Sequence, residues 1–209
     1  MRINQSEIES LDRIYRINLI NSISGIKPGN LIGTRSLDKV DNVAIFSSVV
    51  HLGSNPAQFG FVLRPQGEMF SDTFQNIIDT QCYTINHIHK DLIEKSHYTS
   101  AKLGKEESEF EKMNIEKEFI NDFHAPFVKM SPVKIGMKLL NYSQLPNDCY
   151  FIIGSVQMID IQENAVAENG QINLQTCESI GISGVNTYYQ LTQVESHPYV
   201  GNNPLPKFI

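Results

Sequence analysis

One stretch of the sequence combines hydroxyls, a guanidinium and helix amides at the spacing that a phosphate group needs. Arg64 ends a predicted strand, and Ser71 and Thr73 open the predicted helix that follows it. Hydroxyls, the N–H groups of a helix N-terminus and a cation are common phosphate ligands in proteins. The same residues also fit a simpler arrangement, in which Ser71 or Thr73 caps the helix and Arg64 is solvated. The spacing leaves both interpretations open.

Two further polar patches stand out. Ser47 and Ser48 close an otherwise apolar strand, and a small polar loop follows at residues 53–56, where backbone amides could face a ligand. The second patch combines hydroxyls, an imidazole and a cation within one and a half helical turns. It consists of His97, Tyr98, Thr99, Ser100, Ala101 and Lys102. An exposed helix face would have the same composition.

The histidines and cysteines suggest little metal or disulfide chemistry. His87 and His89 lie on one face of a predicted strand, and with His97 they could form a metal site. Since no Asp or Glu stands at ligand spacing on that strand, half-exposed histidines are the favoured interpretation. The cysteines are odd in number and lack a CxxC pair, which favours reduced thiols. They are Cys82, Cys149 and Cys177.

Familiar catalytic and nucleotide-binding motifs are missing from the sequence. The loop at Gly53 does not supply GxGxxG after a first strand, and GxxxxGK[ST], HExxH, GxSxG and the EF-hand loop are also missing. The sequence therefore indicates no side-chain nucleophile or general base.

Composition excludes several classes of partner. The 209 residues carry 17 Lys and Arg against 23 Asp and Glu, a formal net charge of −6, which argues against a nucleic-acid surface. No apolar run reaches the about 20 residues of a membrane span. The polar start of the chain is unlike a signal peptide, so we expect no membrane and a cytoplasmic location.

Turn residues and hydrophobic periodicity predict a mainly β chain forming one domain over residues 1–209, with flexible ends at about 1–12 and 200–209. Many short strands with few helices favour a closed barrel over a parallel sheet. The predicted strands cover 16–36 (two strands around a turn), 42–51, 59–64, 82–88, 133–140, 149–159 and 187–190. The predicted helices are a short one at 74–78, capped by Ser71 or Thr73, and two pieces within 91–112.

An ordered set of segments carries a more specific signal. It comprises NVAIFSSVVHLGSNPAQFGFVLR at 42–64, DTFQNI at 72–77, YTINHI at 83–88, HYTSAK at 97–102, FEKMNI at 110–115 and VKIGMKLL at 133–140. From about Arg16 to Tyr189 the chain resembles the flavin reductase-like proteins with an FMN-binding split barrel. This resemblance implies a six-stranded antiparallel split barrel of Greek-key type, usually a homodimer that binds FMN near the subunit interface.

The resemblance also implies roles for particular residues. Residues matching Phe46 to Asn55 would edge the flavin ring, largely through backbone amides. This assigns Ser47, Ser48, Val49, Val50, His51 and Asn55 to the ring. The phosphate would fall to Arg64, Ser71 and Thr73, and the segment of Asn86 and His97 to Lys102 would supply ribityl or phosphate contacts. A basic residue is expected next to Thr73, where this chain has Asp72, which would repel a phosphate if it faced inward.

The implied activity is an oxidoreductase that uses NADH or NADPH to reduce bound or free flavin or a small acceptor. Hydride would come from a nicotinamide stacked on the flavin, which agrees with the missing catalytic side chains. The alternative is an FMN-binding electron carrier or flavin-binding module without a pyridine-nucleotide reaction. A metal or small-ligand protein on the same barrel is a further hypothesis, if His87, His89 and His97 converge.

Overall fold

The computed structural model describes residues 1–67, 70–104, 107–198 and 200–201. Strands dominate, and the helices are short. The helices are α1 (Gln5–Ser10), α2 (Arg13–Ser22), α3 (Asp72–Thr80), α4 (Ile93–Tyr98) and α5 (Glu109–Lys112). The strands are β1 (Lys27–Pro28), β2 (Asn30–Arg35), β3 (Asp41–Phe46), β4 (Val50–Ser54), β5 (Ala57–Leu63), β6 (Cys82–His87), β7 (Lys117–Glu118), β8 (Phe127–Val128), β9 (Val133–Gln144), β10 (Tyr150–Ile161), β11 (Ile180–Ser183) and β12 (Thr187–Gln190).

A large antiparallel sheet in the order β3-β2-β6-β9-β10-β5-β4 forms the body of the protein. In a flat sheet with strands about 4.8 Å apart, its two edges would be about 29 Å apart. The edge strands β3 and β4 are nevertheless joined only by residues 47–49, which reach at most about 14 Å. The sheet must therefore curl until its edges meet, and the mainly β split-barrel class is confirmed.

The two longest strands show how the sheet bends. β9 and β10 pair along their length, with register shifts at Ile153/Gly154 and Val156/Met158. Such bulges increase the local twist of a strand pair. The predicted hairpin of these two strands is confirmed, and both strands are longer than the sequence pattern indicated.

Side chains alternate between two cores. On β2, Ile32 faces a core that also contains Phe61, Tyr83 and Met137, whereas its neighbour Leu31 faces the other core. The first core is covered by α3, and the second lies beneath α4, α5 and β11. Both faces of β2 are therefore buried, which explains a nearly continuous buried pattern from Asn30 to Thr34.

Two sequence predictions were wrong. The strand predicted from residue 16 is helix α2, because Asp12 caps it by accepting hydrogen bonds from the amides of Ile14 and Tyr15. The single strand predicted at 42–51 is two strands, β3 and β4, on opposite edges of the sheet. That division accounts for seven strands in the sheet instead of six.

The ends of the chain and its helices complete the description. The predicted flexible end at 1–12 contains α1, with a capping box between Asn4 and Glu7, and most of the predicted arm, residues 202–209, lies outside the described residues. No helix in the described ranges is long and apolar enough to cross a membrane. The cysteines in those ranges are free thiols.

Candidate functional site

Residues 47–49 join the two edge strands β3 and β4, and we call this part of the barrel the seam. Ser48 connects the seam to β5. Its Oγ donates to the carbonyl of Val62 at 3.0 Å and accepts from the amide of Val62 at 3.0 Å. The hydroxyl thus takes the place of a neighbouring strand beside β5, and the rings of Phe46 and Phe61 pack edge to face alongside it, with centroids 5.0 Å apart. Ser47 beside it is half-buried. The predicted flavin rim therefore begins where β3 leaves one edge of the sheet and joins the other.

The rest of the predicted rim lies along the β4–β5 hairpin. Val49 is buried in the barrel core, whereas Val50 and His51 are exposed. Asn55 lies in the exposed hairpin turn. Five residues of strand separate Asn55 from Val50, about 17 Å. Within one chain, Asn55 is therefore remote from Ser48.

Gln66 joins the two ends of the predicted phosphate segment, Arg64 and Ser71, and we call this connection the Gln66 bridge. The Nε2 of Gln66 donates to the carbonyl of Arg64 at 2.6 Å, and its Oε1 accepts from the amide of Ser71 at 2.7 Å. Ser71 caps α3 by accepting from the amide of Phe74. The guanidinium of Arg64 is exposed and has no ion-pair or hydrogen-bond partner among the described residues.

Thr73 points away from that surface. Its hydroxyl donates to Oδ1 of Asn42 at 3.0 Å inside the protein. Asn42 also donates from Nδ2 to the carboxylate of Glu109 at 2.8 Å. Burial raises the pKa of Glu109, and the negative charge of Asp72 acts in the same direction. The Thr73 hydroxyl, which was predicted to contact the phosphate, is thus hydrogen bonded to Asn42 on β3.

Asn86 lies inside the protein and is fully hydrogen bonded. Its Nδ2 donates to the carbonyl of Leu31 and to the hydroxyl of Thr84, and its Oδ1 accepts from the amide of Val128. With no exposed surface, the amide joins β2, β6 and β8. The side chain is in place to support the sheet beneath the site.

The segment from His97 to Lys102 begins in α4 and continues beyond it. His97 Nδ1 lies 2.7 Å from the hydroxyl of Tyr188 on β12, and the Thr99 hydroxyl donates to the carbonyl of Ser96. Four other members of the segment are exposed. They are Tyr98, Ser100, Ala101 and Lys102. α4 packs against β3, so the segment borders the strand that leads into Ser47.

His97 is one of three histidines that contact the C-terminal segment 178–188. Nδ1 of His87 lies 3.4 Å from the hydroxyl of Ser179, and His89 pairs with Glu178 at 3.0 Å. We call these three contacts, His87–Ser179, His89–Glu178 and His97–Tyr188, the histidine clasp. No group of three or more potential ligands in the described ranges could hold a metal ion. The histidines are thus occupied by protein partners.

Sequence reasoning missed the buried polar residues beneath α3. Asn42 and Glu109 are each 6% exposed, although such residue types are mostly found at the surface. The sequence contained one signal, a polar residue at the start of the apolar run from Val43. A carboxylate 67 positions away could not be recognised as its partner by spacing.

The comparison with known families is decisive. Residues 26–176 match the family model described as the flavin reductase like domain. The chain belongs to the flavin reductase-like family. The match contains the seam, the Gln66 bridge and α4, and it ends before the C-terminal partners of the histidine clasp. Membership of this family supports a flavin as the ligand class.

Solved structures agree with this assignment. A candidate flavin reductase with a split barrel domain, from Shewanella frigidimarina NCIMB 400, is 40% identical, with a TM-score of 0.92 over 96% of this chain and 100% of that one. Nitrilotriacetate monooxygenase component B from Bacillus cereus is 18% identical, with a TM-score of 0.81 over 94% and 98% of the two chains. Flavoredoxin of Desulfovibrio vulgaris (Miyazaki F) is 17% identical, with a TM-score of 0.72 over 86% and 94%. The last two share the fold.

The residues present suit a phosphorylated flavin. Gln66 joins the backbone of Arg64, whose guanidinium is exposed, to Ser71, the cap of α3, and the amides of the first helical turn have no backbone partner within the helix. Half-buried Ser47 offers a hydroxyl at the seam. A cation and helix amides suit the phosphate, and the strand ends at the seam offer backbone groups to a ring.

Proposed function

We propose that this protein binds FMN and uses NADH or NADPH to reduce flavin or a small acceptor. The observation that carries the proposal is the Gln66 bridge between Arg64 and Ser71, close to the seam, within a chain of the flavin reductase-like family. The bridge joins the backbone of Arg64, whose guanidinium is exposed, to the N-terminus of α3. Ser47 and Ser48 belong to the seam, where the flavin ring would lie.

In this proposal the protein binds and orients the flavin, and the flavin carries out the redox chemistry. Bound flavin would supply the hydride chemistry. Arg64 and the first-turn amides of α3 would bind the phosphate, which carries about −1.5 to −2 charges by analogy with phosphorylated side chains. Backbone groups at residues 47–51 would bind the ring edge. Val49 keeps this strand end attached to the apolar core.

Local charge matters because the protein as a whole is acidic, with a net charge of −6. Lys134 bonds to Glu118 and Asp160, and Lys117 bonds to Asp41, so these cations are already neutralised. Arg64 and Lys102 are exposed and have no ion pair within the described ranges. They are the cations that we assign to the phosphate.

The first experiment is a spectrum of the purified protein, followed by anaerobic mixing with NADH or NADPH. A flavin absorption band that bleaches with one of these donors supports the oxidoreductase. A colourless protein that also fails to take up added FMN would exclude it. Free riboflavin is the matched probe for the phosphate site, because it presents the same ring without the phosphate.

An electron carrier is the second candidate, favoured by the likeness to a flavoredoxin fold. It predicts a flavin band that persists with NADH and NADPH and bleaches with dithionite or a reduced protein donor. Bleaching within seconds by a pyridine nucleotide would exclude this candidate. The same anaerobic cuvette therefore separates both functions.

We also propose a homodimer. Helix α2 buries none of its residues, and Ile14 within it and Ile23 at its C-cap are 59% and 70% exposed. An exposed apolar helix of this kind is typical of an interface between subunits. Light scattering after size exclusion should give twice the mass of one chain, and Ile14→Asp should shift it toward the monomer. A monomeric wild-type protein would contradict the proposal.

A further inference from the structure

A chain of buried polar groups lies beneath the N-terminus of α3, and we call it the α3 junction. It consists of Thr34, Asn42, Thr73, Asn76 and Glu109. Nδ2 of Asn76 donates to the hydroxyl of Thr34 at 3.1 Å, and that hydroxyl donates to Oδ1 of Asn42 at 3.2 Å. The junction therefore connects α3 through β2 and β3 to α5.

Asn42 is the centre of the junction. Its Oδ1 accepts from the hydroxyls of Thr34 and Thr73, while its Nδ2 donates to Glu109. An asparagine provides both an acceptor and a donor without a charge. Aspartate could not donate to Glu109, and it would place a second carboxylate beside the first.

The geometry points to a role for Asn42 in placing the first turn of α3. Thr73 is the second residue of that helix, two positions after the cap Ser71. The bond from Thr73 to Asn42 ties this turn to β3, the strand that continues into Ser47. Binding groups held by such buried hydrogen bonds keep their geometry before the ligand arrives.

We propose that Asn42 is a positioning residue that aligns the α3 N-terminus with the seam, and thereby gives the site its preference for a phosphorylated flavin. This inference rests on the proposed flavin site. Asn42 itself is 6% exposed and has all its polar atoms bonded within the protein. Its effect on the ligand is indirect, because it fixes Thr73 through a hydrogen bond and Thr73 belongs to the first turn of α3.

A structural role alone would weaken both flavins equally, because a loosened barrel disturbs ring and phosphate together. Positioning of α3 predicts a selective loss for FMN. The decisive quantity is therefore the ratio of the riboflavin Kd to the FMN Kd, measured by flavin fluorescence. We expect Asn42→Ala to raise the FMN Kd about tenfold, a typical cost of one displaced charge-assisted hydrogen bond, and to change the riboflavin Kd less than about twofold.

Thr84→Val is the matched control. Thr84 lies on β6 and not on α3. Its hydroxyl is also fully buried, and it donates to the carbonyl of Pro126 at 2.7 Å. Its removal should lower stability without changing the ratio. Thr73→Val should lower the ratio, and combining it with Asn42→Ala should add little, because both changes break the same bond.

The outcomes separate the inference from the proposed function. Wild-type protein that binds neither flavin, or binds both equally, would overturn the phosphate site and the inference with it. Selective wild-type binding that survives in folded Asn42→Ala would overturn only the inference. If Asn42→Ala does not fold, Asn42→Ser keeps a hydroxyl at this position but is too short to reach both Thr73 and Glu109, and it decides by the same ratio.

Discussion

The α3 junction and the histidine clasp are both held by polar side chains, but they differ in burial and in titration. In the junction, the hydroxyls of Thr34 and Thr73 converge on Asn42, which donates to Glu109, and each of these residues is almost fully buried. In the clasp, imidazoles meet Ser179, Glu178 and Tyr188 at half-buried positions. Buried groups lose most when a partner is removed. We therefore expect the junction to control stability and ligand selectivity, and one residue of each region, Glu109 and His87, to contribute to the pH dependence of stability.

Glu109→Ala should have the largest effect. It leaves Nδ2 of Asn42 and the amide of Val43 without their acceptor, and buried donors of this kind cost about 1 to 3 kcal/mol each. We expect a loss of about 3 kcal/mol in the free energy of unfolding, measured by urea denaturation. Glu107→Ala is the control, since this exposed carboxylate pairs with Lys112 at the surface, and it should cost less than about 0.5 kcal/mol. Equal losses would remove the distinction between buried and exposed partners.

Arg64→Ala tests whether the phosphate binds at the α3 side of the site, near Arg64, or at the α4 side, near Lys102. It should weaken FMN binding by about 2 kcal/mol, which is about 30-fold, because a charge-assisted hydrogen bond is removed. Riboflavin binding should hardly change. Lys102→Ala, at the α4 side, should have a smaller effect in the same titration. A larger loss for Lys102→Ala than for Arg64→Ala would move the phosphate from the α3 side to the α4 side.

The pH dependence of stability should show opposite signs in the two regions. Burial lowers the pKa of His87 from 6.5 to about 4, so between these values the unfolded chain binds a proton that the folded chain does not. Stability should therefore fall as the pH drops through this window. The raised pKa of Glu109 acts in the opposite direction, because the folded form retains a proton that the unfolded chain releases above pH 4.5.

Denaturation curves at several pH values measure both contributions. His87→Gln should flatten the fall below pH 6.5, whereas His124→Gln, at an exposed position, should leave it intact. Glu109→Gln should be relatively more stable than the wild type at pH 7 than at pH 4. An unchanged profile in His87→Gln would show that other groups cause the acid dependence.

Tyr188→Phe should have the smallest effect. It removes the hydroxyl that meets His97 at 2.7 Å, and a half-buried hydrogen bond of this type contributes about 1 kcal/mol. Tyr189→Phe is the control, because this neighbouring tyrosine is exposed. Thermal unfolding measures both variants, and FMN affinity should change less than twofold in each. A strong loss of FMN affinity in Tyr188→Phe would place the ligand against the clasp.

Local pattern predicted many of the elements. The alternating run at Val133 predicted β9, and the turn at 146–148 predicted its hairpin with β10. The sequence also predicted a cap for α3 at Ser71 or Thr73, and the cap is Ser71. Helix α2 was mistaken for a strand because its aliphatic residues suited a strand, and the cap at Asp12 was overlooked. In the apolar run at 42–51, Ser47 and Ser48 lie at the point of division, but the division itself follows from barrel closure, which local pattern does not show.

The sequence by itself determined the flavin reductase-like family, the mainly β architecture and the residues that border the seam, because these depend on local periodicity, turn residues and ordered motifs. Only the tertiary structure decided how each polar side chain is used. Thr73 and Asn86 are turned into the protein, His97 is bonded to Tyr188, and Arg64 remains at the surface. The physical reason is that their partners come from distant parts of the chain, as far as 91 positions away for His97, and spacing along a sequence carries no information about such contacts.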